Sequence, residues 1–375
     1  NDDWNNAGNW SLKVPAVGDN VYFTNMPSAS VRVTANSGAT LMRIYMPLTL
    51  TLESGVTLSL SNTGSEVLTS TADVTIDGPG TLSPSTSSGD NHADFRPALG
   101  TTLTINAKVT GTGTSGFENN GVGKVVLNNP ANDFPGTIAL TATSGSSGST
   151  LEFSDVAALG NAPAIRYAAY YSSVRYLGGT ATLNKNILVG TDSGNGRDIV
   201  FYNLGTGALT INGMVDSVFN SGKAITFQPE DPAGAFVLNG LITNSLNNLY
   251  LYSNGKGTVT VNGQVSIKGE LRSLGSSTLV LTGDASRSTG AHQAAAGSRI
   301  ILSGSAALGS GSFSVSPASS TAPGGALIVK DSARTGTGTL TLYAGSTLSL
   351  SDGAALSNGT VTVNTYPAAN NTVRL

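Results

Sequence analysis

The sequence predicts an all-β chain whose short strands are wound into a parallel β-solenoid of unequal coils. Three observations carry that prediction. Apolar and polar residues alternate with a period of two along most of the chain, and nowhere do apolar residues recur at helical spacing over three turns. Each alternating run is short and closes on Gly, Asn or Asp. Related segments also return at intervals of about 20–30 residues, as they do in stacked-repeat folds.

The runs are explicit. Leu48-Thr-Leu-Thr-Leu52, Thr57-Leu-Ser-Leu60, Thr102-Leu-Thr-Ile105, Thr258-Val-Thr-Val261 and Thr339-Leu-Thr-Leu342 each place apolar residues on one face and Thr or Ser on the other. The nearest approach to a helix, Val156 to Tyr171, is interrupted by Gly160 and Pro163. The turns follow one formula, an apolar strand end and then Asn or Asp before Gly: Ile76-Asp77-Gly78, Ile211-Asn212-Gly213, Leu238-Asn239-Gly240 and Val261-Asn262-Gly263. That formula suggests tight turns with positive φ. Asn212 and Asn239 are 27 residues apart, Asn239 and Asn262 are 23. A longer echo joins Thr49–Asn62 to Thr339–Asp352, with ten of fourteen positions identical. Coils of roughly 22 residues, stacked at about 4.8 Å, would give about 17 turns. The alternative is a pair of β-sandwiches that use Asn-Gly as ordinary hairpin turns.

Composition narrows the function. Only 11% of the 375 residues are charged, against an ordinary value of about 25%. Solubility must therefore rest on hydroxyl and amide groups. The net charge of -3, with no basic run, leaves nucleic-acid binding without an electrostatic footprint. The absence of cysteine excludes disulfides and thiolate metal sites. No apolar stretch is long enough for a membrane helix. The first residue is Asn1, which reads as a mature chain after removal of a signal peptide, or as a domain trimmed at its boundary.

Gly121-Val-Gly-Lys-Val-Val-Leu-Asn-Asn-Pro-Ala-Asn-Asp-Phe-Pro-Gly136, closing on Ala158-Leu159-Gly160, resembles the autotransporter-associated β-strand repeat. A weaker copy runs from Ser277 to Gly309 and carries Ala285-Ser-Arg-Ser-Thr-Gly290 where the repeat has Asn-x-aromatic. The opening, with Asp3-Trp4-Asn5, Asn9-Trp10-Ser11 and Gly18-Asp-Asn-Val-Tyr-Phe23, is similar to the start of large bacterial surface proteins built from such repeats. The resemblance covers about half the chain. It implies a right-handed parallel β-helix, secreted and displayed at a cell surface. The last residues, Tyr366 to Leu375, are not the membrane β-barrel that ends an autotransporter, which makes the chain a passenger piece or a stand-alone relative.

No chemistry-bearing constellation stands out. His92 and His292 are the only histidines, and no nucleophile-elbow pattern accompanies them. Asp90-Asn-His-Ala-Asp94 and Asp192-Ser-Gly-Asn-Gly-Arg-Asp198 are weighed as ion-binding loops but read better as solvated turns, the second lacking the bidentate Glu of a calcium loop. Glu53, Glu66, Asp73, Asp77, Glu118, Asp133 and Glu152 are isolated in sequence, and Glu230-Asp231 before Pro232 suits a turn. The expectation is therefore no enzyme, no cofactor and no metal; a polysaccharide lyase-like enzyme is the third alternative. Tyr167, Tyr170, Tyr171 and Tyr176 form either a contact surface or a packed bulge.

The sequence reading is thus one elongated domain, 1–375, with 1–25 as N-terminal cap and 366–375 as an assembly strand. Trp4 and Trp10 close the first coil, or stack on sugar. Val373 and Leu375 join the next subunit. The expected function is an extracellular structural subunit that assembles with itself, end to end or laterally, into a surface fibre or coat. The alternative is a monomeric adhesin-like module that binds surface glycans. Neither nucleic acid nor membrane insertion is expected.

Overall fold

The computed structural model describes residues 2–25, 30–86, 92–111, 116–144, 147–190, 199–218, 223–246, 248–317, 323–364 and 372–374. It is all-β, with parallel sheets stacked as a β-solenoid of about 13 turns, in keeping with a right-handed parallel β-helix. Helix among the described residues is limited to the single turns Ala7–Asn9 and Val156–Leu159. Apart from the small pair Thr143–Ser144 and Ser147–Gly148, the described strand pairings are parallel. That excludes the sandwich, whose hairpins require antiparallel neighbours. The turns number fewer than 17 because many coils are long. Leu50 pairs with Ile76, 26 residues on, and Ile76 with Ile105, 29 on.

The chain forms two compact units, Asn1–Leu177 and Gly178–Leu375. In the first, the coils up to Lys108–Val109 have three sides. Leu41–Ile44, Leu48–Leu52 and Thr57–Asn62 make one coil; Glu66–Ser70, Val74–Asp77 and Thr81–Thr86 stack on it; His92–Pro97, Thr102–Ile105 and Lys108–Val109 follow. We call the three sides the first, second and third faces. The alternation seen in the sequence becomes vertical columns. On the second face Val31, Leu50, Ile76, Ile105, Leu127, Phe153 and Tyr176 lie in register, all buried. Each such side chain contributes about 1.5–3 kcal/mol by leaving water.

The Gly121–Gly160 segment supplies this unit's buried polar links. Asn132 Oδ1 accepts from Val109 N–H at 2.7 Å, and its Nδ2 donates to Ala158 C=O at 2.7 Å, so one amide ties three coils. Phe134 packs 5.8 Å from Phe117, which stacks 4.5 Å from Phe95. Of the four tyrosines at its end, Tyr167 and Tyr176 are buried core; Tyr170 and Tyr171 are half-buried. Tyr167 and Tyr176 are thus part of the core rather than a contact surface.

In the second unit the second face runs Ile199, Ile225, Leu251, Leu271, His292, Phe313, Leu340 and Val361 in register. After Val265–Ser266 the first face is reduced to isolated bridges, Ala285 to Leu308, Ala307 to Arg334 and Arg334 to Ala355.

The Asn-Gly turns of this unit serve a purpose other than positive φ. Among the four turn glycines only Gly78 has it, at +97°. Gly213, Gly240 and Gly263 instead lie directly over the preceding coil: a Cβ on Gly240 would meet Gly213 O at 2.0 Å, and one on Gly263 would meet Gly240 O at 1.9 Å. The asparagines before them form an exposed ladder. Asn212 donates to Asn184, Asn239 to Asn212 and Asn262 to Asn239, each at 2.8–2.9 Å. The echo between the ends is also structural. Each copy is a second-face strand, a turn with a glycine at φ +76° (Gly55) or +74° (Gly345), and the strand that follows the turn, Thr57–Asn62 or Thr347–Leu350. The turns close through Val56 N–H to Glu53 C=O and Ser346 N–H to Tyr343 C=O.

Candidate functional site

Trp4 is fully buried beneath the first coil. Its ring meets Trp10 edge-on at 4.9 Å and Phe23 at 6.0 Å, and Trp10 Nε1 donates to Trp4 C=O at 2.6 Å. Trp4 N–H donates to Arg32 C=O, and Arg32 N–H to Asp2 C=O, so Asp2–Trp4 occupies the outer edge of the strand Ser30–Val33. A buried indole of this kind closes a core and offers no face to a sugar. Val373 lies in the strand Thr372–Arg374, in register with Leu348. Leu375 is outside the described residues, as are Asp90, Asn91 and the loop 192–198.

The two histidines belong to different units, His92 to the first and His292 to the second. His292 points into the core between Leu271 and Phe313. Its Nε2 is buried without a partner, and burial lowers its pKa from the ordinary 6.5 to about 4.

His92 belongs to a cluster that sequence reading missed. On the first face of the first unit, Glu66 aligns with Asp94, and Asp94 with Glu118. These three carboxylates, isolated in sequence, thus stack in one column. Arg96 reaches two of them, its Nη1 at 3.0 Å from Glu66 and its Nη2 at 2.9 Å from Asp94. Arg43 approaches Glu66 at 3.8 Å, and His92 approaches Glu118 at 3.9 Å. Asn120 donates to Asp94, and Thr141 to Glu118. Burial, and then the charge of Asp94, raise the pKa of Glu118 against the opposing hydrogen bond from Thr141. Asp94 is 1% exposed, which closes the centre of the column to any substrate. The cluster is a charge-compensated clasp between coils. Among the described residues no group of three His, Asp or Glu side chains is arranged to hold a metal ion.

The second face of the same unit carries an open cleft of about 280 Å³ lined by residues including Thr102, Gly123, Lys124, Thr150 and Arg175. Lys124 Nζ lies 3.1 Å from Glu152, and Arg175 Nε 3.6 Å from it.

A different feature marks the last described coil of the second unit. Val361 and Val363 align with the buried Leu340 and Leu342, yet are 44% and 46% exposed. The strand Val361–Asn364 ends its sheet, with no neighbour on its outer side among the described residues. Comparison with protein-family models, curated proteins and solved structures returned no match.

Proposed function

We propose that the chain is a structural protein, an extracellular β-solenoid subunit that assembles with further copies of itself into a surface fibre or coat. The observation that carries this reading is the open coil at Val361–Asn364. Val361 and Val363, in register with the core leucines, are about half exposed there, on the strand that ends its sheet among the described residues. An unpaired strand edge is a template for another strand. The first coil differs, because Trp4, Trp10 and Asp2–Trp4 close its core and cover one of its edges. The joining surface is therefore assigned to the last coil and its neighbouring strand Thr372–Arg374 rather than to the tryptophans. The low charge supports a role in which broad, hydroxyl-covered faces pack or are displayed. The resemblance to autotransporter-associated repeats supports placement at a cell surface, and the charge-compensated burial of the one carboxylate cluster supports a non-enzymatic role.

The test is sedimentation and negative-stain microscopy of the chain and of Val361→Lys/Val363→Lys. The expected result is assembly by the parent chain and single particles for the variant. A parent chain that stays monomeric at high concentration, or a variant that assembles equally well, overturns the reading.

A further inference from the structure

A larger cleft, of about 480 Å³, opens in the first unit where the N-terminal cap meets the third face, a volume within the range of small-molecule sites. One wall is the cap segment 14–17, which crosses the bare backbone of the strand Ser37–Ala39: a Cβ on Gly38 would meet Val17 Cγ2 at 2.6 Å. Val17 is 60% exposed, so the wall it makes is apolar and open. The segment is pinned in place. Ala16 N–H donates to the Asp19 carboxylate and Asp19 N–H to Ala16 C=O, each at 3.0 Å, while Gly18 N–H donates to Thr40 Oγ1 at 3.0 Å. The opposite wall is polar, with Asn36, Ser37, Thr57 and Ser59. Asn36 Oδ1 accepts from Thr57 N–H at 2.8 Å, which sets the amide and leaves Nδ2 without an acceptor among the described residues. Ser37 Oγ accepts from Asn5 Nδ2 at 2.7 Å, so its own proton remains to be donated. The hydroxyls of Thr57 and Ser59, half-buried on the outward side of their strand, likewise have no partner among the described residues. None of the lining residues is charged, and Asp19, which is not among them, is already paired with Lys13 at 3.0 Å.

We propose that this cleft binds a neutral saccharide, with the C–H face of one pyranose ring laid against Val17 and the ring hydroxyls bonded to Asn36, Ser37, Thr57 and Ser59. A sugar ring carries hydroxyls on its rim and C–H groups on its faces, and it meets here one polar wall and one apolar wall with no charge to desolvate. The amide of Asn36 and the hydroxyl of Ser37 are already oriented by bonds within the protein, so little side-chain freedom is lost on binding. The site does not involve Val361–Asn364, so it stands or falls independently of self-assembly.

The test is saturation-transfer NMR and calorimetric titration of the whole chain with neutral hexasaccharides of glucose, mannose, galactose and N-acetylglucosamine, with hexagalacturonate and an uncharged Gly-Ser peptide as the competing chemistries. The expected result is binding of at least one neutral hexasaccharide, unchanged by added salt, and weaker or no binding of the other two probes. Asn36→Asp keeps the oxygen that accepts from Thr57 N–H and replaces the donating Nδ2 by an acceptor; it should weaken the binding about tenfold. Ser59→Val suits the strand and removes one hydroxyl, and it should weaken the binding about threefold or more with the melting temperature kept. Thr104→Ala, on the second face, should leave it unchanged. Failure of all four neutral hexasaccharides to bind, equal or tighter binding of hexagalacturonate or the peptide, or binding that survives both Asn36→Asp and Ser59→Val overturns the proposal.

Discussion

His292 should make the second unit acid-sensitive by an amount that follows from its position. The imidazole sits in a column of apolar side chains, with Phe313 6.3 Å away and Leu271 N–H directed at Nδ1 at 3.4 Å. Folding holds it neutral, with a pKa of about 4 against an ordinary 6.5. Between those values the unfolded chain binds a proton that the folded chain refuses. Stability therefore rises with pH across this window and is lost as pH falls from about 6.5 through about 4. The gap amounts to roughly 3 kcal/mol when complete, of which roughly 2 kcal/mol is lost by about pH 5. His292→Leu removes the titration and leaves a residue that packs between Leu271 and Phe313. Stacked coils need not unfold in one step, so the measurement should be local: hydrogen exchange of the strands His292–Ala294 and Arg299–Leu302, parent against variant at each pH. The expected result is strand protection in the parent that falls by roughly 2 kcal/mol more than in the variant between about pH 7.5 and pH 5. Equal losses in the two proteins would refute a buried neutral imidazole.

Glu118→Gln should carry the opposite sign. A carboxyl whose folded pKa is raised opposes folding when ionised, so the variant should be more stable than the parent at neutral pH, with the gain vanishing on acidification through the ordinary carboxyl range; urea titrations at two pH values check this. Asn239→Ala interrupts the exposed amide ladder at two bonds and should lower stability by about 1 kcal/mol, read as a fall in melting temperature. Gly240→Ala, next to it, should cost more than about 2 kcal/mol, because its Cβ would collide with Gly213 O and the coils must separate. A milder effect for Gly240→Ala than for Asn239→Ala would contradict the close-stacking account.

The columns of the core are legible because inward residues alternate with outward ones, often Thr or Ser, along most strands; His92–Pro97, with three successive buried residues, departs from that rule. His292 was readable by the same rule, since it alternates with Gln293 ahead of Ala294; its residue type drew attention to chemistry instead. The Asn-Gly turns were found at the right places with the wrong cause, because a sequence records the glycine but not the backbone atom 2.0 Å from its missing Cβ. The carboxylate column was hidden for a related reason. Glu66 and Asp94 are 28 residues apart and Asp94 and Glu118 are 24, and only the register of unequal coils makes them neighbours. Lys124, Glu152 and Arg175 were likewise scattered over three coils.

The last coil sets a quantitative condition on self-assembly. Covering the exposed halves of Val361 and Val363 would contribute about 1 kcal/mol each. Bringing two molecules together costs an estimated ~4–15 kcal/mol of translational and rotational freedom. Side-chain burial at these two positions therefore cannot hold a second copy by itself. The remainder must come from continuing the sheets: backbone groups of residues 361–363 and Thr372–Arg374 pairing with an incoming coil, whose own inward column then covers Val361 and Val363. Such a contact forms several strand bonds at once or none. Assembly should accordingly be steeply dependent on the integrity of the last coil and insensitive to substitutions on the outer faces.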